Sequence, residues 1–146
     1  MKKQFIIPGL LVMALMCFSF ISFVDDSYYS KANPTLSKNS FNDMKACIDA
    51  CSNCAAMCNY CSSMCLKEKN VDAMSRCIQL NMECAAVCKA ASQLMSLGSE
   101  DYKEMCRLCA QICKKCGDEC SKHKNMEHCQ KCAEACYQAA ELCKKM

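Results

Sequence analysis

The chain has 146 residues, 53% of them hydrophobic, which is enough for one domain with a real core, and 19 of them are Cys. Only 3 Gly and 2 Pro accompany those thiols, so the Cys sit on regular elements rather than in the turn-rich loops of a small disulfide scaffold. The 18 basic and 15 acidic residues are interspersed and leave a formal charge of +3, a balance that argues for a solvated surface and against nucleic-acid binding.

Lys2 and Lys3 precede an apolar run from Phe5 to Val24 that Asp25 and Asp26 close. This is the layout of a secretory signal over residues 1–24, and it predicts an exported protein, periplasmic or envelope-associated, that meets the membrane only through its N-terminus. No clean small-residue cleavage site follows directly, and Ser30-Lys31-Ala32 lies well downstream. An uncleaved anchor is the alternative, because about 20 apolar residues span a bilayer. Cys17 belongs to the signal. Residues 25–40 carry Pro34 and no apolar period, and read as a linker or short flap.

Trp is absent, while Ala, Met, Lys, Glu and Gln are plentiful, so propensity favours helix. Ser40 followed three places on by Asp43 predicts a capped first helix over about 41–68. Asn70 caps a second over about 71–97, and Gly98 stops it. Ser99, Glu100 and Asp101 start a third over about 100–124, and Asn125 caps a fourth over 126–146. Helices of this length with short connections pack as neighbours, so the expected fold is all-α, an antiparallel four-helix bundle over 41–146.

The expected core is unusual. Cys47, Cys51, Cys54, Cys58, Cys61 and Cys65 follow one another at steps of four, three, four, three and four, and that alternation places all the sulfurs on one helix face, where a bundle normally buries Leu or Ile. The third helix keeps the rhythm with Cys106, Cys109, Cys113, Cys116 and Cys120, and the fourth with Cys129, Cys132, Cys136 and Cys143. The second is diluted: Met74, Cys77, Asn81, Cys84, Cys88, Ala91, Met95. Asn81, Ala91 and Ala139 are the places where the stripe lacks sulfur. Ile48, Ala55, Ala56, Leu80, Val87, Leu108 and Ile112 flank the stripes and are expected to pack helix on helix or on a neighbouring subunit.

A lone buried Cys is commonly a small hydrophobe. A whole seam of Cys and Ala, however, underfills a bundle interior and predicts a void along the axis that something else occupies. Disulfides within one helix are disfavoured, because Cβ atoms three or four residues apart lie about 5–6 Å from one another, beyond the ~3.8 Å that a disulfide prefers. Zinc prefers closed four-ligand sites on knuckles, and iron–sulfur ligation favours a Cys-x2-Cys-x2-Cys-x3-Cys-Pro run that is absent here. Cu(I) is a soft ion selected by thiolates, and two thiolates on successive turns suffice for it. The Cys-x-x-x-Cys pairs Cys47/Cys51, Cys54/Cys58, Cys61/Cys65, Cys84/Cys88, Cys109/Cys113, Cys116/Cys120 and Cys132/Cys136 provide them. So many thiols exceed what a catalytic or structural site needs, which points to storage or sequestration of multiple Cu(I) ions by a non-enzymatic protein. The competing readings are a disulfide-rich structural or thiol-redox envelope protein and a zinc-binding, metallothionein-like protein.

Over roughly 41–146 these repeated Cys-x-x-Cys and Cys-x-x-x-Cys steps on four capped helices resemble the four-helix-bundle copper-storage proteins. The resemblance implies a bundle lined by thiolates that bind many Cu(I) ions, assembled as a homo-tetramer, with exported and cytosolic branches. Copper donor and acceptor proteins are the partners it implies. An antiparallel arrangement gathers Met64, Cys65, Met74, Cys120, His123, Met126, His128 and Cys129 at one end, expected to be the mouth with His123, Met126 and His128 as additional ligands. Met44, Leu94, Met95, Leu97, Tyr102 and Met146 gather at the other, expected to be an apolar plug.

Overall fold

A computed structural model describes residues 38–146. The signal over 1–24, Cys17 and nearly all of the 25–40 segment lie outside the described residues. Four helices follow in chain order: α1 (Lys38–Cys65), α2 (Val71–Leu97), α3 (Tyr102–Cys120) and α4 (Glu127–Cys143). The helices form a square, α1 against α2 and α4, and α3 against the same two, with no backbone approach across either diagonal. Cys47 near the start of α1 meets Cys143 at the end of α4, and Cys65 at the end of α1 meets Cys77 near the start of α2. The bundle is therefore antiparallel and up-down-up-down, as the short connections require.

The helix ends differ from expectation in instructive ways. Ser40 lies inside α1, which begins at Lys38, so it is not the N-cap. Asn70 is the cap of α2, its side-chain oxygen accepting from the backbone N–H of Ala73 at 3.3 Å. Gly98 ends α2 in the left-handed region at φ 63°, and Gly98 and Ser99 donate their backbone N–H groups to Met95 and Leu94. These are the paired bonds of a Schellman stop, which closes the orphan carbonyls of the last turn. Ser99 does not cap α3; its hydroxyl accepts from the N–H of Asp101, and Tyr102 opens the helix. α3 stops at Cys120, leaving His123 in the turn, and Met126 rather than Asn125 occupies the N-cap position of α4.

Small residues bring the helices together. Ala50, Ala55, Ala85, Ala110, Ala133, Ala135 and Ala140 are buried beside the thiol stripes. Their methyl groups let neighbouring backbones approach closely, which draws the axial side chains into mutual contact. Leu80 joins them in the core, while Ile48, Val87 and Ile112 are half-buried; Ala56 and Leu108 face outward. Gly117 takes this principle furthest: a Cβ there would lie 2.8 Å from the ring of Tyr137. The Tyr137 ring thus crosses α3 where no side chain stands, and its hydroxyl donates to Asp118 Oδ1 at 3.1 Å and pairs with Ser121 Oγ at 2.9 Å.

The outer faces carry exposed ion pairs one helical turn apart, Lys45 with Asp49, Lys114 with Asp118 and Glu127 with Lys131. Each is worth only a few tenths of a kcal/mol, so they make a soluble surface rather than a source of stability. Among the described residues no helix is long and apolar enough to cross a membrane.

The Schellman stop yields a simple test. Gly98→Ala places a Cβ in the left-handed region and is expected to cost about 1 kcal/mol. Denaturant unfolding of the metal-free protein should show a lower midpoint with an unchanged slope.

Candidate metal centre

The 3.5-residue stripe places thiols of α1, α3 and α4 along most of the axis, and α2 adds Cys77, Cys84 and Cys88. Every cysteine from Cys47 to Cys143 is a free, buried thiol. At the Cys47 end, Cys143 lies 3.5 Å from Cys47 and 3.4 Å from Cys51, sulfur to sulfur. The next level joins Cys88 to Cys109 at 3.6 Å and to Cys113 at 3.3 Å. In the middle, Cys54 lies 3.8 Å from Cys84 and 3.7 Å from Cys136, and Cys58 lies 3.7 Å from Cys136 and from Cys132. Towards the other end, Cys61 approaches Cys129 at 3.7 Å and Cys77 approaches Cys120 at 3.6 Å.

Sulfurs also meet across the diagonals that the backbones do not bridge, Cys51 with Cys109 at 3.9 Å and Cys84 with Cys136 at 4.0 Å. The axial void expected from the small side chains is thus filled by the thiols themselves, near van der Waals contact. Metal sites are the interstices of this packing. A centre surrounded by four sulfurs about 3.8 Å apart sits about 2.3 Å from each, a metal–thiolate bond length. Ions can therefore enter without the helices having to move apart.

Within single helices, Cys54/Cys58, Cys61/Cys65, Cys84/Cys88, Cys109/Cys113 and Cys132/Cys136 hold their sulfurs 3.7–4.0 Å apart. Between helices, compact groups form in which all ligand atoms lie within 4.8 Å of one another, among them Cys54/Cys58/Cys84/Cys136, Cys54/Cys84/Cys88/Cys113 and Cys58/Cys116/Cys132/Cys136. Ala91 and Ala139, the two sulfur-free positions of the stripe with apolar side chains, are fully buried.

Asn81 is the third sulfur-free position, and the sequence marked it only as a gap. The structure makes it the polar centre of the thiol column. Fully buried, its Oδ1 accepts from Cys132 Sγ at 2.9 Å and from Cys116 Sγ at 3.3 Å. Its Nδ2 donates to the Cys77 carbonyl at 2.9 Å and to the sulfurs of Cys77 and Cys61 at 3.3 and 3.4 Å. One side chain thereby ties all four helices at a single level. The readable signal was its position: a polar residue in register with an inward stripe needs buried partners.

The end where α1 and α3 finish differs in chemistry. His128 is buried there and its Nε2 lies 3.6 Å from Cys65 Sγ, which makes Cys61, Cys65, His128 and Cys129 a mixed thiol–imidazole group. His123 sits in the following turn, its Nε2 buried with no hydrogen-bond partner and 3.8 Å from Glu119 Oε1. Met74 is buried, while Met64 and Met126 are half-buried. At the opposite end Met44 and Met95 are buried and Leu94, Tyr102 and Met146 are half-buried. Leu97 does not belong to a plug: it is 71% exposed, because it stands in the last turn of α2 and points away from the axis.

Hydrogen bonds divide the thiols into those that ionise readily and those that do not. Donation from Cys143 and Cys47 brings the Cys106 thiol down to about 4. Donation from Cys120 and Cys129 likewise holds Cys77 well below the ordinary thiol range. Burial, with Cys77 close by, pushes Cys65 up to about 11. A soft ion entering from the His128 side therefore meets a protonated thiol first and must displace that proton.

Two outcomes are expected. Asn81→Ala leaves buried thiol donors and the space of an amide unfilled, and should lower metal-free stability by about 1–3 kcal/mol, measured by chemical denaturation. Because bound thiols must lose their protons, Cu(I) loading in weak buffer should release protons, and the apparent affinity should fall as the pH is lowered.

A family model described as "Csp: Copper storage protein" matches residues 40–146. The chain is 47% identical over 79 residues to the "Uncharacterized cysteine-rich protein YhjQ" of Bacillus subtilis, covering 54% of this chain and 73% of that one. It resembles the Cu(I)-bound copper storage protein BsCsp3 with a TM-score of 0.68 and 46% identity, over 71% of this chain and 97% of that one. A cytosolic copper storage protein from Streptomyces lividans, loaded with five coppers, matches with a TM-score of 0.69 and 37% identity, over 71% of this chain and 91% of that one. With a family match that spans the whole four-helix bundle and relatives whose length it largely covers, this chain belongs to the copper storage protein family.

Proposed function

We propose that the protein stores or sequesters many Cu(I) ions in the thiol column of its bundle, without catalysis. The observation that carries this reading is the unbroken succession of buried free thiols from Cys47 and Cys143 at one end to Cys65 and Cys129 at the other. A catalytic or structural metal site needs one interstice, whereas this core offers overlapping ones along its length. Thiolates that bridge neighbouring ions give a capacity on the order of one ion per thiol, and soft sulfur ligands select Cu(I). Similar solved structures are described as Cu(I)-bound or copper-loaded. Metal loading also stabilises the native bundle, because the unfolded chain does not hold the thiols in register.

The ligand set comprises the cysteines of the four stripes, with His128, His123 and Met126 at the mouth. The unpartnered Nε2 of His123 and the contact between His128 and Cys65 support admission from that side. An ion held by imidazole or thioether passes inward by ligand exchange, each donor being replaced by a softer one. The basic pair and apolar run at the N-terminus support export to the periplasm or envelope, where copper donor and acceptor proteins would be the partners. The family resemblance supports assembly as a homo-tetramer, for which outward-facing Leu108, Met82 and Tyr60 offer apolar surface.

Anaerobic titration of the reduced protein with Cu(I), against a tight colorimetric chelator and with thiols counted before and after, tests storage. Tight uptake of many ions is expected; saturation at one or two ions, or thiols already paired at the outset, would reject it. A His123→Ala, Met126→Ala double variant should keep nearly the full capacity and take up Cu(I) from a weak donor more slowly. Uptake as fast as in the unaltered protein would sink the proposed mouth.

A further inference from the structure

The interstices are not alike, and the one between Cys54, Cys58, Cys84 and Cys136 approaches the dimensions of a tetrahedral zinc site. Around Cys54, Cys58, Cys84 and Cys136 the sulfur separations are 3.9 Å for Cys54–Cys58, 3.8 Å for Cys54–Cys84 and 3.7 Å for Cys54–Cys136. Cys58–Cys136 measures 3.7 Å and Cys84–Cys136 measures 4.0 Å. Four sulfurs placed about 2.3 Å from a zinc ion at tetrahedral angles are about 3.8 Å apart. Five of the six edges of the quartet have that length, and the sixth, Cys58–Cys84, is within 4.8 Å. The neighbouring group that contains Cys88 and Cys113 is compressed along one edge, with those sulfurs 3.3 Å apart.

We propose that Cys54, Cys58, Cys84 and Cys136 form a preorganised tetrathiolate site for a divalent zinc-like ion, filled when Cu(I) is scarce. Binding is ligand substitution with no change of oxidation state. Four S–H bonds break, four Zn–S bonds form, and four protons pass to solvent. The product carries two negative charges inside the bundle, which the surroundings are built to bear. Cys132 Sγ lies 3.7 Å from Cys58, and the thiols of Cys113 and Cys116 lie 4.0 Å from Cys54 and Cys58 respectively. Cys113 donates its S–H to the bound Cys54 thiolate, as the outer ligands of metal sites do, while the S–H groups of Cys116 and Cys132 are directed to Asn81 Oδ1.

The site links α1, α2 and α4 at mid-height, so a zinc ion there would hold the column in register and keep four thiols from oxidation. Cu(I), the softer ion, displaces it. Copper storage does not depend on this site: a chain that took up Cu(I) fully and refused zinc would overturn this inference alone.

The test uses reduced, metal-free full-length protein under anaerobic conditions, with Co(II) and then Zn(II) as probes. The first equivalent of Co(II) should give the intense bands of a tetrahedral tetrathiolate, which Zn(II) abolishes and Cu(I) then releases. Cys58 and Cys84 occur together in this quartet and not in either neighbouring one. Cys58→Ser and Cys84→Ser should therefore each weaken first-ion Zn(II) affinity at least about tenfold, with the helical circular dichroism retained. Weak octahedral Co(II) bands in the unaltered protein would overturn the proposal, as would undiminished affinity in either variant. Should a variant fail to fold, the Co(II) spectrum of the unaltered chain decides.

Discussion

Sulfur packed on sulfur is the interaction from which the rest of this structure follows. A thiol is small, so a stripe of them leaves a bundle interior empty unless the helices close in. The buried alanines let them close in, and the residual gap is then one sulfur contact wide. That width sets the chemistry. Sulfurs in mutual contact enclose interstices of metal–thiolate dimensions, so the same packing that holds the metal-free bundle together also defines where ions fit.

A core of this kind is held less firmly than one of Leu and Ile, because each thiol buries little apolar area. Compensation comes from directional bonds. Asn81 draws sulfurs from the surrounding helices to one amide, and the thiols donate to one another along the column. The resulting split between easily ionised thiols such as Cys106 and resistant ones such as Cys65 means that protons and metal ions compete for the same atoms. Loading is therefore coupled to proton release throughout the column, with the resistant Cys65 standing beside His128 at the end where imidazole and thioether ligands gather.

The two ends of the bundle show how chemistry is distributed without breaking the repeat. At one end the stripe runs out into His128, His123 and methionines, ligands that exchange ions more readily than a thiolate cage does. At the other, Met44 and Met95 bury apolar side chains instead. Export, tetrameric assembly and the direction of ion movement are proposals built on this asymmetry, on the N-terminal pattern and on the family resemblance.

Much of the architecture was legible in the sequence because it rests on local rules. The 4-3 spacing determined that the thiols share a helix face, Asn70 and Gly98 marked the ends of α2, and the scarcity of Gly and Pro excluded a loop-rich scaffold. Less was legible wherever several helices had to be known at once. Ser40 satisfies a capping pattern yet lies inside α1, since the helix continues through it, and Leu97 falls at the plug end by sequence although the last turn of α2 turns it to solvent. Asn81 read as a missing ligand because its partners are up to 51 residues away in sequence. The sequence by itself determined which atoms line the core, through a periodicity that every residue of a helix obeys. Only the tertiary structure decided how far apart those atoms stand, because that distance depends on the alanine contacts between helices, and with it which thiols group into sites and which of them keep their protons.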